Sequence, residues 1–368
     1  MLKSKLQFWT LEILLLLLII FVCTKVSFLF QPIVSFTTTL FLPMLAAGIL
    51  FFIFSPVVGF LEKNRIPRTL AILIIYLVFI GLFVLLFALI GPPLSQQARD
   101  LFTSVPAYTA QISQYIEGAS HSKWFTWIMT QDYVSMEKIK QALTNFSTSL
   151  PQNITSSLSQ VLGVVTNITL TVITVPFILF YMLKDGHKFP GMAVKVLPIV
   201  YRKEGLKIFS DLYMTLAAYI QGQLIVCIFV GVGCFIGFSI IGLNYALILG
   251  IVVAVANIIP YLGPFIGAAP AVIIGFLESP TKALLAAVVV TVVQQIDGNL
   301  VSPLIIGKRL NTHPLTIILL LIGAGSFGGI LGMILAVPAY AVLKAVVLNV
   351  VRLVRLRMRY QNEKKEKK

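Results

Sequence analysis

From Leu70 to Leu94 the chain carries no charged side chain and reads as one apolar run. Wound into a helix, such a run exceeds the roughly 20 residues that cross a hydrocarbon layer about 30 Å thick. Lipid offers no partner to a backbone N–H or C=O, so a segment of this kind satisfies its own backbone as a helix. Comparable runs cover 8–30, 33–61 and 158–183, and a fifth, 212–241, is long enough to tilt or to protrude. Composition agrees, at 58% hydrophobic and 11% charged residues, against about 25% charged in soluble domains. A water-soluble domain and a disordered chain are both excluded. The expectation is an all-α, polytopic membrane protein of about eight transmembrane helices. Lys3 and Lys5 precede the first run as in a signal peptide, but Cys23-Thr24-Lys25 offers no small-x-small cleavage site, so an uncleaved first span is expected.

Beyond Ile241 the pattern becomes irregular. Residues 245–259 lead into Pro260-Tyr261-Leu262-Gly263-Pro264, and the short apolar piece 265–277 follows. Residues 283–296 end at Asp297-Gly298-Asn299, and 315–348 is interrupted by the glycine-rich stretch 323–329, which includes Gly325, Gly328 and Gly329. Short apolar pieces joined by Pro and Gly predict broken or re-entrant helices in the C-terminal half, because irregular backbone at membrane depth survives only inside protein or beside a water-filled cavity.

The 28 Lys+Arg outnumber 13 Asp+Glu. They gather beside apolar spans, most of all in the tail Arg352–Lys368, which fits an anionic leaflet better than nucleic acid. With 245–277 counted as one discontinuous span, cytoplasmic segments hold 20 Lys/Arg and outer segments 7. Both termini are therefore expected in the cytoplasm, with the protein in the cytoplasmic membrane. The organisation expected is three spans in 1–94, an extracytoplasmic amphipathic helical segment in 95–157, a transport core in 158–350 and a basic tail in 351–368. Within 95–157, Leu94, Ala98, Leu101, Val105, Tyr108, Ile112 and Tyr115 step by four and three, and 136–150 repeats the rhythm. Two facing helices are expected there, kinked or interrupted at Pro106 and Pro151. The stretch 186–210 reads as an amphipathic segment along the cytoplasmic surface.

Enzyme templates fail. The sequence has no HExxH and no GxxxxGK[ST], and His121, His187 and His313 lie in three separate segments. No cofactor or metal site is expected, and the three cysteines, Cys23, Cys227 and Cys234, read as small packing residues. What remains is a set of polar groups at membrane depth. Asp297 either holds a coupling ion or proton, with Gln294, Gln295 and Asn299 near it and Lys308 or Arg309 for charge, or it sits among the headgroups as a helix-end carboxylate. Asn257 either joins a solute path at the unwound Pro260–Pro264 segment or caps a broken helix. Gln221 and Gln223 either line a path or pack between helices. Pro260, Gly263, Pro264, Gly298, Gly325, Gly328 and Gly329 are the expected break or hinge positions.

The motifs Phe180-Tyr181-Met182-Leu183-Lys184-Asp185-Gly186, Tyr219-Ile220-Gln221-Gly222-Gln223 and Asn257-Ile258-Ile259-Pro260-Tyr261-Leu262-Gly263-Pro264 resemble signatures of the autoinducer-2 exporter family. So do Asp297-Gly298-Asn299-Leu300-Val301-Ser302-Pro303 with Gly307-Lys308-Arg309, and Phe327-Gly328-Gly329-Ile330-Leu331-Gly332 with Ala336-Val337-Pro338. Their order matches over nearly the whole chain, although Gln221 stands where members often carry a basic residue. The resemblance implies a permease-like homo-oligomer moving a small solute, either autoinducer-2 or a related metabolite, or exchanging sodium or lithium for protons. From the residues themselves, a secondary transporter is expected, with a non-transporting scaffold built on 95–157 as the alternative of another class.

Overall fold

The structure, a computed structural model, describes residues 5–25, 27–120, 173–196, 198–305 and 313–366. All regular elements among them are helical. Lys5–Lys25 forms α1, Ser27–Lys63 α2 and Arg68–Ser120 α3. Residues 173–185 form α4. Arg202–Ile240 is α5, Ala246–Ala256 α6, Gly263–Glu278 α7, Pro280–Ile296 α8 and Pro314–Glu366 α9. Five helices among the described residues are long and apolar enough to cross a membrane, and α6 and α7 are shorter apolar helices. The protein is a multi-pass, all-α membrane protein.

The first packing unit joins α2, α3 and α4 through Ala47, Val58, Ala71, Ile72, Leu179 and Leu183. α2 bears Pro32, Pro43 and Pro56 inside it. A proline removes the N–H that would bond the carbonyl four residues back, and the carbonyl released by Pro56 is that of Phe52. Gln221 of α5 donates its Nε2 to it at 2.5 Å. α3 runs unbroken for 53 residues, about 80 Å at helical rise. Helix therefore continues through Ser95 and Pro106 without the interruption expected there, because a proline removes one bond from a propagating helix and need not stop it. The second expected amphipathic helix, 136–150, lies outside the described residues, as do Pro151 and His121.

The second unit packs α5 to α8 around Val230, Cys234, Phe238, Leu249, Val253, Ala271 and Val290. Helix association in lipid gains little from apolar burial and depends on close backbone approach. Gly231 lies against Ala254 and Gly250 of α6, while Gly233 and Gly237 lie against Val293 and Val289 of α8. As residue number rises on α5 it falls on α8, so these two helices run antiparallel.

α6 and α7 do not continue one another. Gly263 lies against the Ala256 carbonyl and Gly267 against the Val253 backbone, so the chain reverses at Pro260 and returns. Both roots meet: Lys282 Nζ donates to Gly242 O at 2.6 Å, and Asn244 N donates to Glu278 Oε1 at 3.0 Å. The expected discontinuous span 245–277 is therefore a re-entrant hairpin entered and left on one face. α9 behaves likewise. Gly329 adopts φ 56°, ψ −142°, outside the helical region, and Gly332 lies against the Ala324 carbonyl while Gly325 meets Met333. Eight residues of straight helix span about 12 Å, so the arms 314–328 and 330–347 fold against each other. Leu321 and Ala336 then join Ile259, from the tip of the first hairpin, in one buried cluster. Helix plus hairpin occurs twice, α5 with α6–α7 and α8 with α9, in opposite orientations.

The stretch 186–210 is built of short turns leading into α5. Gly186–Lys188, Phe189–Ala193, Val194–Val196 and Ile199–Tyr201 are single helical turns, and α5 has begun by Arg202. Pro190, Gly191 and Pro198 break the rhythm there.

Candidate functional site

α6 stops where its sequence requires. Pro260 lacks a donor and disfavours helical backbone in the residue before it, so the helix closes at Asn257 with a C-cap bond to the Val253 carbonyl. Tyr261 turns the corner with φ 63°, a left-handed value uncommon for a bulky side chain and typical of constrained functional turns. Leu262 N donates to Pro260 O at 2.7 Å and Gly263 N to Ile259 O at 2.8 Å, which makes the tip compact. Pro264 then opens α7 in the first turn, where a missing donor costs nothing.

Among the described residues the buried polar or charged side chains are Asn257, 4% exposed, and Asp297, 8% exposed. They sit together. Gln223 Nε2 of α5 donates to the Asn257 backbone carbonyl at 2.7 Å. Gln294 Nε2 of α8 reaches Asn257 Oδ1 at 3.4 Å. Cys227, one turn beyond Gln223, lies beside Gln223 and Asn257 and within electrostatic reach of Asp297. Ser302 Oγ donates to Asp297 Oδ1 at 2.9 Å. Asp297–Val301 form a single π-helical turn that runs on into Ser302–Ile305, so α8 widens at Gly298 rather than breaking there. The extra residue of a π turn re-aims side chains, and such turns concentrate at functional sites. No cationic side chain among the described residues pairs with Asp297.

The candidate residues divide accordingly. Asp297, Gln294 and Asn257 are brought together. Asn299 and Gln295 are exposed and satisfied by each other, Nδ2 to Oε1 at 3.0 Å, outside the cluster. Lys308 and Arg309 lie outside the described residues. Gly329 turns the second hairpin, Gly325 packs within it, and Gly328 faces open space. Of the paired glutamines, Gln223 belongs to the cluster and Gln221 to the α2 contact. Cys227 escaped sequence reasoning, because a small thiol in an apolar run looks like packing until the hairpin tip is seen beside it.

A carboxylate, a thiol, a hydroxyl and three amides thus converge between two antiparallel helices and an unwound tip. The group offers oxygen ligands and one proton-accepting carboxylate. The sequence profile of the AI-2E family transporters matches residues 14–352. The chain belongs to that family. AI-2E relatives include "Putative transport protein YueF" of Bacillus subtilis strain 168, 68% identical over 100% of this chain and 99% of its own length. "Putative transport protein YrrI" of the same organism is 34% identical over 95% of this chain and 97% of its own. "Putative permease PerM" of Escherichia coli strain K12 is 27% identical over 86% and 88%. Membership of the AI-2E family supports a membrane-transport role for the protein.

Proposed function

We propose that the protein is an ion-coupled secondary transporter exporting a small polar solute, autoinducer-2 or a related metabolite, across the cytoplasmic membrane. The single observation that carries this is the buried Asp297 carboxylate one turn beyond Gln294, whose amide reaches Asn257 at the tip of a re-entrant hairpin. A carboxylate at membrane depth costs about 2.5–3.5 kcal/mol on insertion scales, a cost relieved by taking up a proton or a cation. Asp297 with Ser302 is the coupling site, and Asn257, Gln294 and Cys227 face the solute. Lys308 and Arg309, six and seven residues past Ser302 in the sequence, supply charge to the site. Inverted helix–hairpin pairs offer two gates, one rooted on each side, around one central site.

We take both termini as cytoplasmic. With the first hairpin rooted outside, Lys282 moves to the outer side and Lys308 and Arg309 to the inner side. The Lys/Arg count becomes 21 inside against 6 outside, a sharper asymmetry than a crossing span gave.

In proteoliposomes loaded with autoinducer-2 under an imposed proton or sodium gradient, flux should collapse in Asp297→Asn. Flux equal to that of the parent would remove the coupling role. Gradient-driven proton exchange for sodium without any solute movement would instead assign the protein to cation/proton antiport.

A further inference from the structure

Away from the polar cluster, a cavity of about 310 Å³ opens where α2 ends, α3 and α5 begin and the single turns after α4 pass. Its floor and walls are apolar, formed by Phe51, Leu206 and Phe209, with Tyr213 beside them. Phe51 lies twelve residues before Lys63 at the end of α2, about 18 Å along the helix. The cavity therefore runs from the helix ends toward the apolar middle of α2.

Its polar end is built around Arg68. Arg68 Nε donates to Leu183 O at 2.7 Å and Nη1 to Glu62 Oε2 at 3.1 Å. These bonds fix the guanidinium plane, while Nη2 makes no hydrogen bond to a described residue. A planar fork with donors to spare suits a phosphate oxygen. His187 and Ser210 line the same space.

The rim places the cavity at a lipid surface. Val196 is 89% exposed and Ile199 78%, with Phe189 and Met192 also exposed. Apolar prongs of this kind alternate with Lys184, Lys195, Lys203 and Lys207, the composition of a segment seated in anionic headgroups. Lys188 is engaged with Asp185 at 2.7 Å, and that lysine holds the Asp185 carboxyl below its ordinary range.

We propose that this cavity binds one anionic phospholipid, with its phosphate on Arg68 and its glycerol and first acyl carbons along Phe51, Leu206 and Phe209. The site rests on the cavity and on the membrane setting of the chain, and it stands whether or not Asp297 couples transport.

Native mass spectrometry of the full chain in mild detergent tests it, with phosphatidylglycerol, phosphatidylcholine and glycerol 3-phosphate as probes. One phosphatidylglycerol should be retained per chain in preference to phosphatidylcholine. In Arg68→Gln its retention should fall about tenfold, the size of one charge-assisted hydrogen bond. Leu206→Trp, which fills an apolar wall without touching the guanidinium, should abolish it, and Lys195→Gln on the exposed turn should leave it unchanged. Equal retention of the two lipids would overturn the proposal. So would undiminished phosphatidylglycerol in Leu206→Trp, or a loss in Lys195→Gln as large as in Arg68→Gln. Uptake of glycerol 3-phosphate with no lipid retained would assign the cavity to a soluble phosphate ester and overturn the lipid.

Discussion

Asn257 is held from two sides, its carbonyl by Gln223 and its side chain by Gln294. Gln223→Ala leaves a buried carbonyl without that donor, a change worth about 1–3 kcal/mol. The variant should melt a few degrees lower and transport more slowly; a parental melting curve and parental flux together would show that the bond is idle. Two glycines give a sharper contrast. Gly329 sits at a positive φ with its ψ outside the range open to other residues, so Gly329→Ala should cost about 1–3 kcal/mol. Gly298, where an added methyl would meet nothing, should accept alanine without loss and, in a helical turn, with a small gain. Thermal unfolding of the two variants in detergent reads the difference directly.

Proline and glycine announce the helix ends of the C-terminal half. Pro260 and Pro264 mark a break that the structure also has. What they cannot announce is direction, since hydropathy is the same whether a chain crosses the bilayer or doubles back. Long-range contacts decide it, Lys282 with Gly242 and Gly267 with Val253, and neither leaves a periodic trace. The closeness of Asp297 to Asn257 was hidden for the same reason, because forty residues and two reversals separate them. At Gly298 the sequence misleads in the other direction: glycine after aspartate reads as a stop, yet the i→i+5 pattern takes up the extra residue and continues the helix. Hairpin topology makes a labelling prediction. Cysteines placed at Asn244 and Ser279 should react with an impermeant maleimide from the same side of the membrane, whereas a crossing span would separate them. A cysteine at His313 should label from the opposite side.

Among the described residues the two packed units are joined by polar bridges such as Gln221 to the Phe52 carbonyl and Tyr213 Oη to Ser55 Oγ at 2.8 Å. The all-α, multi-pass class was legible from apolar runs alone, because lipid leaves the backbone so few options, whereas the number of crossings was not, since 245–277 and the arms of α9 double back. The orientation proposed from the basic residues is testable at the same scale. A fluorescent protein fused after Lys368 should mature, while an alkaline phosphatase inserted at Gly242 should be active; the reverse pattern would invert the whole arrangement. α3 spans both units. At its start Arg68 lines the lipid-facing cavity. Past the other end of its span Leu101 packs on the second core. There Tyr245 Oη bonds Ser104 Oγ at 3.0 Å, and Ile248 N approaches Gln97 Oε1 at 3.4 Å. Burial beside Tyr245 pushes the Tyr108 hydroxyl upward in pKa, which keeps it protonated in this clasp. One continuous helix thus has the cavity at its first turn and the root of the hairpin near its other end, so that whatever fills the one shares a backbone with the doorway of the other.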